Sequence, residues 1–238
     1  MKNILILIAL VLLACHSCIF ADGEKEKGNG NVTTEQRAVS PFSSIKTGGV
    51  MNVYLTQGDT ESVTVEIDEN LQQYVTVRND GNILILDSKD KFRKATKNNV
   101  YITLKNIDGL NIGGVGNIQT QTAIKSDRLK LGVGGVANLR LEVDCSALEA
   151  DCNSVGKIEL RGITSELTVK NSGVGSITTK ELKAEKVSVR NSGVGKVHVY
   201  ASQELTINNS GVGNVTYEGD AVIQSVNSSG VGSIKKVK

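Results

Sequence analysis

The sequence predicts an all-β protein whose chain winds into a parallel β-helix, a solenoid with coils about 19–21 residues long. The main observation is a short motif that recurs at nearly constant spacing, with valine always at its centre and glycine on either side in most copies. Successive copies start 21, 19, 19, 20, 18 and 19 residues apart, a period typical of solenoid repeats. The seven central valines are Val115, Val136, Val155, Val174, Val194, Val212 and Val231.

A column of aliphatic residues follows the motif and predicts the strands around it. Apolar and polar residues alternate about this column, which is the period-two pattern of half-buried strands. Each repeat therefore predicts a strand, a tight Gly-Val-Gly corner and a second strand. Four positions after the first residue of each copy stand Ile118, Leu139, Ile158, Ile177, Val197, Val215 and Ile234.

The central valines are candidate structural residues of the corners. Glycine suits backbone with positive φ, where a residue with a Cβ costs about 1–2 kcal/mol. We expect the seven valines to point inward and to stack about 4.8 Å apart as an interior column. Val174→Asp should then destabilise the fold strongly, whereas Thr178→Asp, at an outward position, should be tolerated.

Polar residues at one inner position predict a ladder of amides in the later coils. Asn171, Asn191 and Asn209 stand two positions before the motif, and Ser228 follows in the last copy. Stacked amides hydrogen-bond along such a column. We assign these residues a structural role, with a share in binding as the alternative.

The first residues of the chain predict export. Residues 1–14 have the pattern of a secretory signal peptide, because their apolar run is only about half of the roughly 20 residues that span a membrane. Leu12-Leu13-Ala14-Cys15 resembles a bacterial lipobox, so we predict acylation of Cys15, with Cys18 as the alternative acceptor. Ordinary cleavage near Ala21, giving a soluble secreted product, stays open. A lipid anchor would be the protein's only attachment to a membrane.

The rest of the chain divides into a tether and one domain. Residues 15–39 are polar and predict a lipid-anchored tether, since they cannot bury a core. Residues 40–238 predict the β-helix domain, whose repeats are clearest over residues 110–238. We interpret Phe42 to Leu104 as N-terminal coils of the same solenoid with longer loops. Gly49-Val50-Met51 is a divergent first copy of the motif.

Composition argues against several classes of binding protein. Aromatic residues make up 3% of the chain, with no tryptophan, so few rings are present to stack sugars or nucleic acid bases. The net charge is +2, and +1 once Lys2 of the leader is subtracted. This charge gives no electrostatic basis for binding nucleic acid.

We predict no catalytic, metal or cofactor site. Outward positions of neighbouring repeats do not stack carboxylates, as an enzyme on this scaffold would need. His198 is the only histidine outside the leader, and without a second group to orient it we interpret it as a surface residue. Cys145 and Cys152 are explained either by a disulfide or by packing, and zinc needs more ligands.

Several short motifs together resemble a known bacterial family. They are Gly28-Asn29-Gly30-Asn31, Phe42-Ser43-Ser44-Ile45, the strands Val53 to Asp59 and Val100 to Leu104, and the tandem Gly-x-Gly corners, and they cover about Gly28 to Lys238. The chain resembles the family described as "putative autotransporter adhesin" with a head GIN domain. This resemblance implies a right-handed parallel β-helix, related in shape to pectin lyases but without their catalytic residues and exported to the cell envelope. Adhesion has been proposed for the family.

Three functional hypotheses follow. The first is a non-enzymatic envelope protein, either an outer-membrane lipoprotein (periplasmic or at the cell surface) or a secreted protein, that binds a surface glycan or protein partner as an adhesin does. The second is a self-associating envelope scaffold whose coils stack end to end into homo-oligomers, which the lysines Lys235, Lys236 and Lys238 on the last strand oppose. The third is an enzyme of the pectin lyase or acyltransferase type.

Overall fold

Parallel strands stack coil upon coil in the computed structural model, which describes residues 25–89 and 91–237. The protein is a β-solenoid of about seven turns, each about 19 residues long, as the sequence predicts. The predicted signal peptide, Cys15, Cys18 and the cleavage position near Ala21 lie outside the described residues.

Twenty strands and one short 3₁₀ helix form the described part of the chain. The helix, Glu69–Tyr74, lies between β5 and β6 in the order that follows. The strands are β1 (Glu26–Lys27), β2 (Val32–Arg37), β3 (Ser44–Thr47), β4 (Asn52–Gln57), β5 (Ser62–Asp68), β6 (Val75–Asp80), β7 (Ile83–Ser88), β8 (Phe92–Arg93), β9 (Asn98–Leu104), β10 (Gly109–Ile112), β11 (Val115–Thr120), β12 (Ile124–Val133), β13 (Val136–Cys152), β14 (Val155–Asn171), β15 (Val174–Asn191), β16 (Val194–Tyr200), β17 (Glu204–Asn209), β18 (Val215–Glu218), β19 (Val222–Ser228) and β20 (Ile234–Lys236).

Successive coils stack in register, so equivalent residues of neighbouring repeats lie side by side. β13 pairs in parallel with β14, and β14 pairs with β15, over most of their lengths. Val136, Val155 and Val174 thereby occupy one column, which further pairings extend to Val50 at one end and Val231 at the other. Since paired strands lie about 4.8 Å apart, every strand position forms a ladder along the solenoid axis.

Aliphatic side chains at alternate strand positions fill the interior. Six of the seven residues in the predicted aliphatic column are at most 4% exposed, and Ile234, on the last coil, is partly buried. A fully buried valine, leucine or isoleucine contributes roughly 1.5–3 kcal/mol. The interior ladders are therefore the main source of stability.

The first levels of the stack do not follow chain order. β3 and β4 pair on one side with β10 and β11, and on the other side with β7 and β9. The level formed by residues 83–104 therefore lies outside the level formed by residues 44–57, although it comes later in the chain. The bridge between Val50 and Val115 confirms that Gly49-Val50-Met51 is the first copy of the motif.

Antiparallel strands close this end of the solenoid and form a cap. β5 pairs with β9, β6 pairs with β7, and β2 pairs with β5. The prediction of a tether up to residue 39 is therefore wrong for Val32–Arg37, which form β2 of the cap. The side chains of β2 bury little apolar surface, so this strand is held by backbone pairing with β5 and by hydrogen bonds that Arg37 and Thr33 make with Gln72.

Candidate functional site

The corner valines form an exposed column, which we call the valine ridge. Its members are between 47% and 72% exposed, so the expectation that the corner valines fill the interior is wrong. The ridge crosses eight levels of the stack and is therefore about 34 Å long. Its residues are Val50, Val115, Val136, Val155, Val174, Val194, Val212 and Val231.

Strand alternation explains why these valines face outward. Val174 is the first residue of β15 and lies three positions before the buried Ile177. Residues an odd number apart on one strand face opposite sides, so Val174 faces water while Ile177 faces the core. The φ of Gly175 is 149°, and a Cβ there would overlap the carbonyl oxygen of Gly156 on the neighbouring coil. Glycine follows the valine because adjacent coils approach too closely there for a side chain.

Two columns of small polar side chains flank the valine ridge. Among these described residues there is no carboxylate, and Lys157 and Lys196 carry the only charges. The serine column, two residues before each valine, consists of Gly48, Gly113, Gly134, Asn153, Ser172, Ser192, Ser210 and Ser229. The asparagine column, two residues after each valine, consists of Asn52, Asn117, Asn138, Lys157, Ser176, Lys196, Asn214 and Ser233.

The predicted amide ladder is confirmed inside the later coils. Asn171 Nδ2 donates to Asn191 Oδ1 at 2.7 Å, and Asn191 Nδ2 donates to Asn209 Oδ1 at 2.7 Å. Asn209 Nδ2 then donates to Ser228 Oγ at 3.4 Å. The three asparagines are buried, so these amides stabilise the stack and do not contact a ligand.

The two cysteines of the repeats are reduced and buried. Cys145 and Cys152 form no disulfide, so packing accounts for both. Burial, and then the charge of Asp151, raises the pKa of the Cys152 thiol to about 12. Burial also raises the pKa of Cys145. Neither thiol is a nucleophile at neutral pH, because the reactive form is the thiolate.

A shallow groove with polar walls lies beside the asparagine column on the middle coils. It has a volume of about 280 Å³ and continues into a second depression lined by Gln119 and Asn138, with Arg140 and Glu159 common to both. We call the two together the polar groove. The first part is lined by Arg140, Glu159, Leu160, Arg161, Thr178, Lys180 and Glu181.

Ion pairs between neighbouring coils organise the polar groove. Arg140 Nε lies 2.8 Å from Glu159 Oε2, and Arg161 Nη2 lies 2.9 Å from Glu142 Oε2. Lys157 also pairs with Glu159. Its ammonium group, and then the Arg140 guanidinium, hold the pKa of Glu159 below the usual value, so this carboxylate is ionised at neutral pH. The groove therefore presents fixed donors and acceptors side by side.

A bulge between two strands opens the groove. β14 and β15 are in register at Glu159 and Thr178, and the register has shifted by one residue at Arg161 and Glu181. The extra residue in β15 bends the strand and separates the two coils at the surface. The sequence carries a signal of this bulge, because the coil that begins at Val174 is 20 residues long and the two before it are 19.

Two stacked tyrosines extend the outward row of the groove toward the capped end. Tyr101, Tyr54, Gln119 and Arg140 are successive neighbours in this row. The ring centroids of Tyr54 and Tyr101 lie 4.9 Å apart at an angle of 17°. The sequence analysis counted few aromatic rings and missed that two of them meet at one end of the groove.

His198 lies close to a carboxylate, but its Nε2 makes no hydrogen bond among the described residues. Its Nε2 lies 2.9 Å from Glu218 Oε1 on the next coil. Within residues 25–89 and 91–237, no group of three or more His, Cys, Asp and Glu side chains is arranged to hold a metal ion. In the same part of the chain, no helix has the length and apolar character required to cross a bilayer.

Several solved structures have the same fold. An adhesin from Bacteroides fragilis NCTC 9343, described as "putative", is 26% identical with a TM-score of 0.83, and the match covers 89% of this chain and 99% of that chain. A "putative lipid binding protein" from Parabacteroides distasonis ATCC 8503 is 24% identical with a TM-score of 0.72, covering 90% and 100%. A "putative adhesin" from Parabacteroides merdae ATCC 43184 is 23% identical with a TM-score of 0.64, covering 91% and 100%.

A search of curated proteins finds no match to this sequence. The family model that matches is described as "Putative auto-transporter adhesin, head GIN domain", and it spans residues 41–221. Since this match covers more than half of the chain, the protein belongs to that family.

Proposed function

We propose that this protein is a non-enzymatic adhesin of the bacterial cell envelope that binds an extended glycan along its polar groove. Family membership and the adhesin from Bacteroides fragilis support the adhesive role and a place at the cell surface or in the envelope. The observation that carries the choice of a glycan is the chemistry of the groove.

The polar groove offers alternating donors and acceptors on adjacent coils. Sugar hydroxyls both donate and accept hydrogen bonds, and vicinal hydroxyls match a guanidinium next to a carboxylate, as in the pair Arg140 and Glu159. Arg161 and Lys180, which also line the first part of the groove, add further cationic donors. Tyr54, farther along the same row, adds a phenolic hydroxyl that can both donate and accept a hydrogen bond.

A glycan array tests this proposal when it is probed with the full chain and with groove variants. Arg140→Ala and Arg161→Ala should each weaken binding by about tenfold or more, because each removes hydrogen bonds from a charged donor. Arg190→Ala is the matched control, since Arg190 is an exposed arginine outside the groove. Its binding should equal that of the unchanged protein.

Two outcomes would contradict the glycan proposal. One is silence across the array while a matrix protein binds, which would assign the partner to the protein class. The other is glycan binding that both groove variants retain.

Anchoring through a lipid at the N-terminus belongs to this proposal. We place the acyl chain on Cys15, with Cys18 as the alternative, because the lipobox pattern ends there. Metabolic labelling with a clickable fatty acid should mark the chain, and Cys15→Ser should abolish the label. A label that persists in Cys15→Ser and vanishes in Cys18→Ser would assign the acyl chain to Cys18. An unlabelled chain would indicate ordinary cleavage.

A second candidate function is an envelope scaffold that grows end to end. The edge strand β19 favours it, because Val222 and Ile223 are exposed there and the strand carries no charge. Lys235 and Lys236 on β20 oppose it. Light scattering at rising protein concentration would show chains longer than a dimer if this function is correct.

A further inference from the structure

We propose that the valine ridge is a self-association surface, where two copies of this chain pack side by side, ridge against ridge. The ridge and the polar groove are adjacent surfaces that share Asn117, Asn138 and Lys157 of the asparagine column, whereas Arg140 and Arg161, which carry the glycan proposal, lie outside the ridge and its flanking columns. Three properties of the ridge identify a second copy as its occupant: its period, its charge and its area.

The period of the ridge matches that of another copy along its whole length. Valines recur every 4.8 Å or so, because each lies on the next coil of the stack. A partner with a different repeat loses register within a few levels, whereas a second copy keeps it over all eight. Identical side chains stacked at this spacing form dry interfaces in paired β-sheets. Self-pairing therefore buries every valine of the ridge at once.

The charges beside the ridge permit either relative direction of the two copies. The flanking columns contain no carboxylate, and Lys157 and Lys196 lie on different coils. In a parallel pair, the serine column of one copy faces the asparagine column of the other. In an antiparallel pair centred on the middle of the ridge, the asparagine columns of the two copies face each other and run in opposite directions. The residues opposite the two lysines are Asn153 and Ser192 in the parallel pair, and Ser176 and Asn138 in the antiparallel pair.

The exposed area of the ridge is in the range of functional patches. Each valine is about half exposed, so the eight together leave roughly 240–480 Å² of apolar surface in contact with water. The largest patch on a typical monomer is about 300–600 Å² and is often functional. Two ridges with their flanking columns reach the lower end of specific interfaces, about 1,200 Å² in total. The dimer should therefore be reversible, with a dissociation constant on the order of micromolar.

The middle of the ridge gives the sharpest test. Val155 and Val174 are the fourth and fifth of the eight valines, so each lies close to its counterpart in both relative directions. In cells that export the full chain, Val174→Cys treated with a short bismaleimide should yield a crosslinked dimer. Glu185→Cys is the matched control, because Glu185 is exposed on the same strand but away from the ridge. Crosslinking at Val174→Cys should exceed the control by about tenfold.

Sedimentation of the full chain in mild detergent provides a second readout. The double variant Val155→Asp/Val174→Asp should raise the dissociation constant by at least about tenfold, because it places charges in a dry interface. Ser188→Asp/Thr206→Asp adds the same charge on two stacked outward positions elsewhere and should leave the dimer intact.

Three results would overturn the proposal. They are a monomer at all accessible concentrations, a dimer that the ridge variant leaves unchanged, and crosslinking at Val174→Cys no greater than at Glu185→Cys. Valine-dependent binding to phosphatidylethanolamine and phosphatidylglycerol vesicles without self-association would also overturn it, in favour of a lipid surface. The crosslinking result decides the question even if the aspartate variant fails to fold.

Discussion

At the scale of single residues, the corner motif separates two roles that its sequence does not distinguish. Valine faces water, and the glycine after it lies against the backbone carbonyl of the neighbouring coil, so the small residue and not the apolar one determines how closely coils pack. The buried position of Ile177 is predictable from alternation alone. The orientation of Val174 is not predictable in this way, because it depends on whether the strand begins before or after the corner. With β15 beginning at Val174, strand alternation determines the result.

The corner predicts opposite effects for two neighbouring substitutions. Gly175→Ala should cost at least about 2 kcal/mol, because the added Cβ has nowhere to go and φ is positive. Val174→Ser should cost no more than about 0.5 kcal/mol, since the side chain is exposed. Val174→Asp should also be tolerated, which reverses the effect expected from the sequence. Urea unfolding of these variants checks all three, and equal losses at both positions would contradict the assigned orientation.

The buried amide ladder predicts a large loss of stability when one of its asparagines is replaced by leucine. Asn191→Leu removes a donor and an acceptor at once, leaving Asn171 and Asn209 without partners on that side. The expected loss is roughly 2–4 kcal/mol, because each unsatisfied buried polar group costs about 1–3 kcal/mol. Ser165→Ala, at an exposed position on β14 away from the ladder, is the control. A thermal midpoint unchanged in Asn191→Leu would show that the ladder adds nothing to stability.

At the scale of elements, the parallel strands are predictable and the cap is not. Repeats 110–238 give each strand an alternating pattern and a fixed neighbour, so the sequence contains both the strand and its partner. β2 has the sequence Val-Thr-Thr-Glu-Gln-Arg, whose polar character predicts a tether. Its pairing with β5 lies in backbone hydrogen bonds across some 30 residues, which no local pattern encodes. The bulge in β15 is only partly predictable, since the length of the coil indicates an extra residue but not its position.

The cap depends on a buried carboxylate with a clear dependence on pH. Asp68 is fully buried, and it accepts hydrogen bonds from Gly30 N at 2.7 Å, Thr96 N at 2.6 Å and Thr96 Oγ1 at 2.9 Å. Burial alone raises the pKa of Asp68, but the hydrogen bonds from Thr96 and Gly30 outweigh it and hold the pKa below the usual value. A depressed pKa stabilises the fold above the unfolded-state value of about 3.9, and this stability is lost as pH falls through the folded-state pKa.

Asp68→Asn should therefore destabilise the protein at neutral pH and lose this effect in acid. Denaturant midpoints at pH 7, 5, 4 and 3 measure it, and the gap between variant and unchanged protein should narrow below about pH 4. Asp59→Asn, at an exposed position outside the strands, is the control and should show no gap at any pH. A gap that stays constant from pH 7 to 3 would mean that the charge of Asp68 is not what stabilises the cap.

At the scale of the whole molecule, the solenoid is a stack of parallel coils with two chemically distinct outer surfaces. The polar groove offers ion pairs and amides, and the valine ridge offers a continuous apolar stripe. The period of the sequence predicts this stack, and the absence of clustered carboxylates argues against an enzyme. Neither surface is predictable as a site, because each arises only when residues about 20 positions apart become neighbours. The order of the first levels cannot be predicted for the same reason. Residues 83–104 come later in the chain than residues 44–57 but form the level nearer the capped end.

Thiol labelling tests the outward orientation of the corner valines most directly. Val174→Cys and Ile177→Cys differ by three positions on one strand, and the folded chain is treated with a maleimide under native conditions. Both variants carry Cys15→Ser and Cys18→Ser, so that the only other thiols are those of Cys145 and Cys152, which are buried. At concentrations low enough for the chain to be monomeric, the orientation described here predicts that Val174→Cys reacts at the rate of a free thiol and that Ile177→Cys reacts only as fast as the protein unfolds. Rapid labelling of Ile177→Cys with protection of Val174→Cys would contradict it.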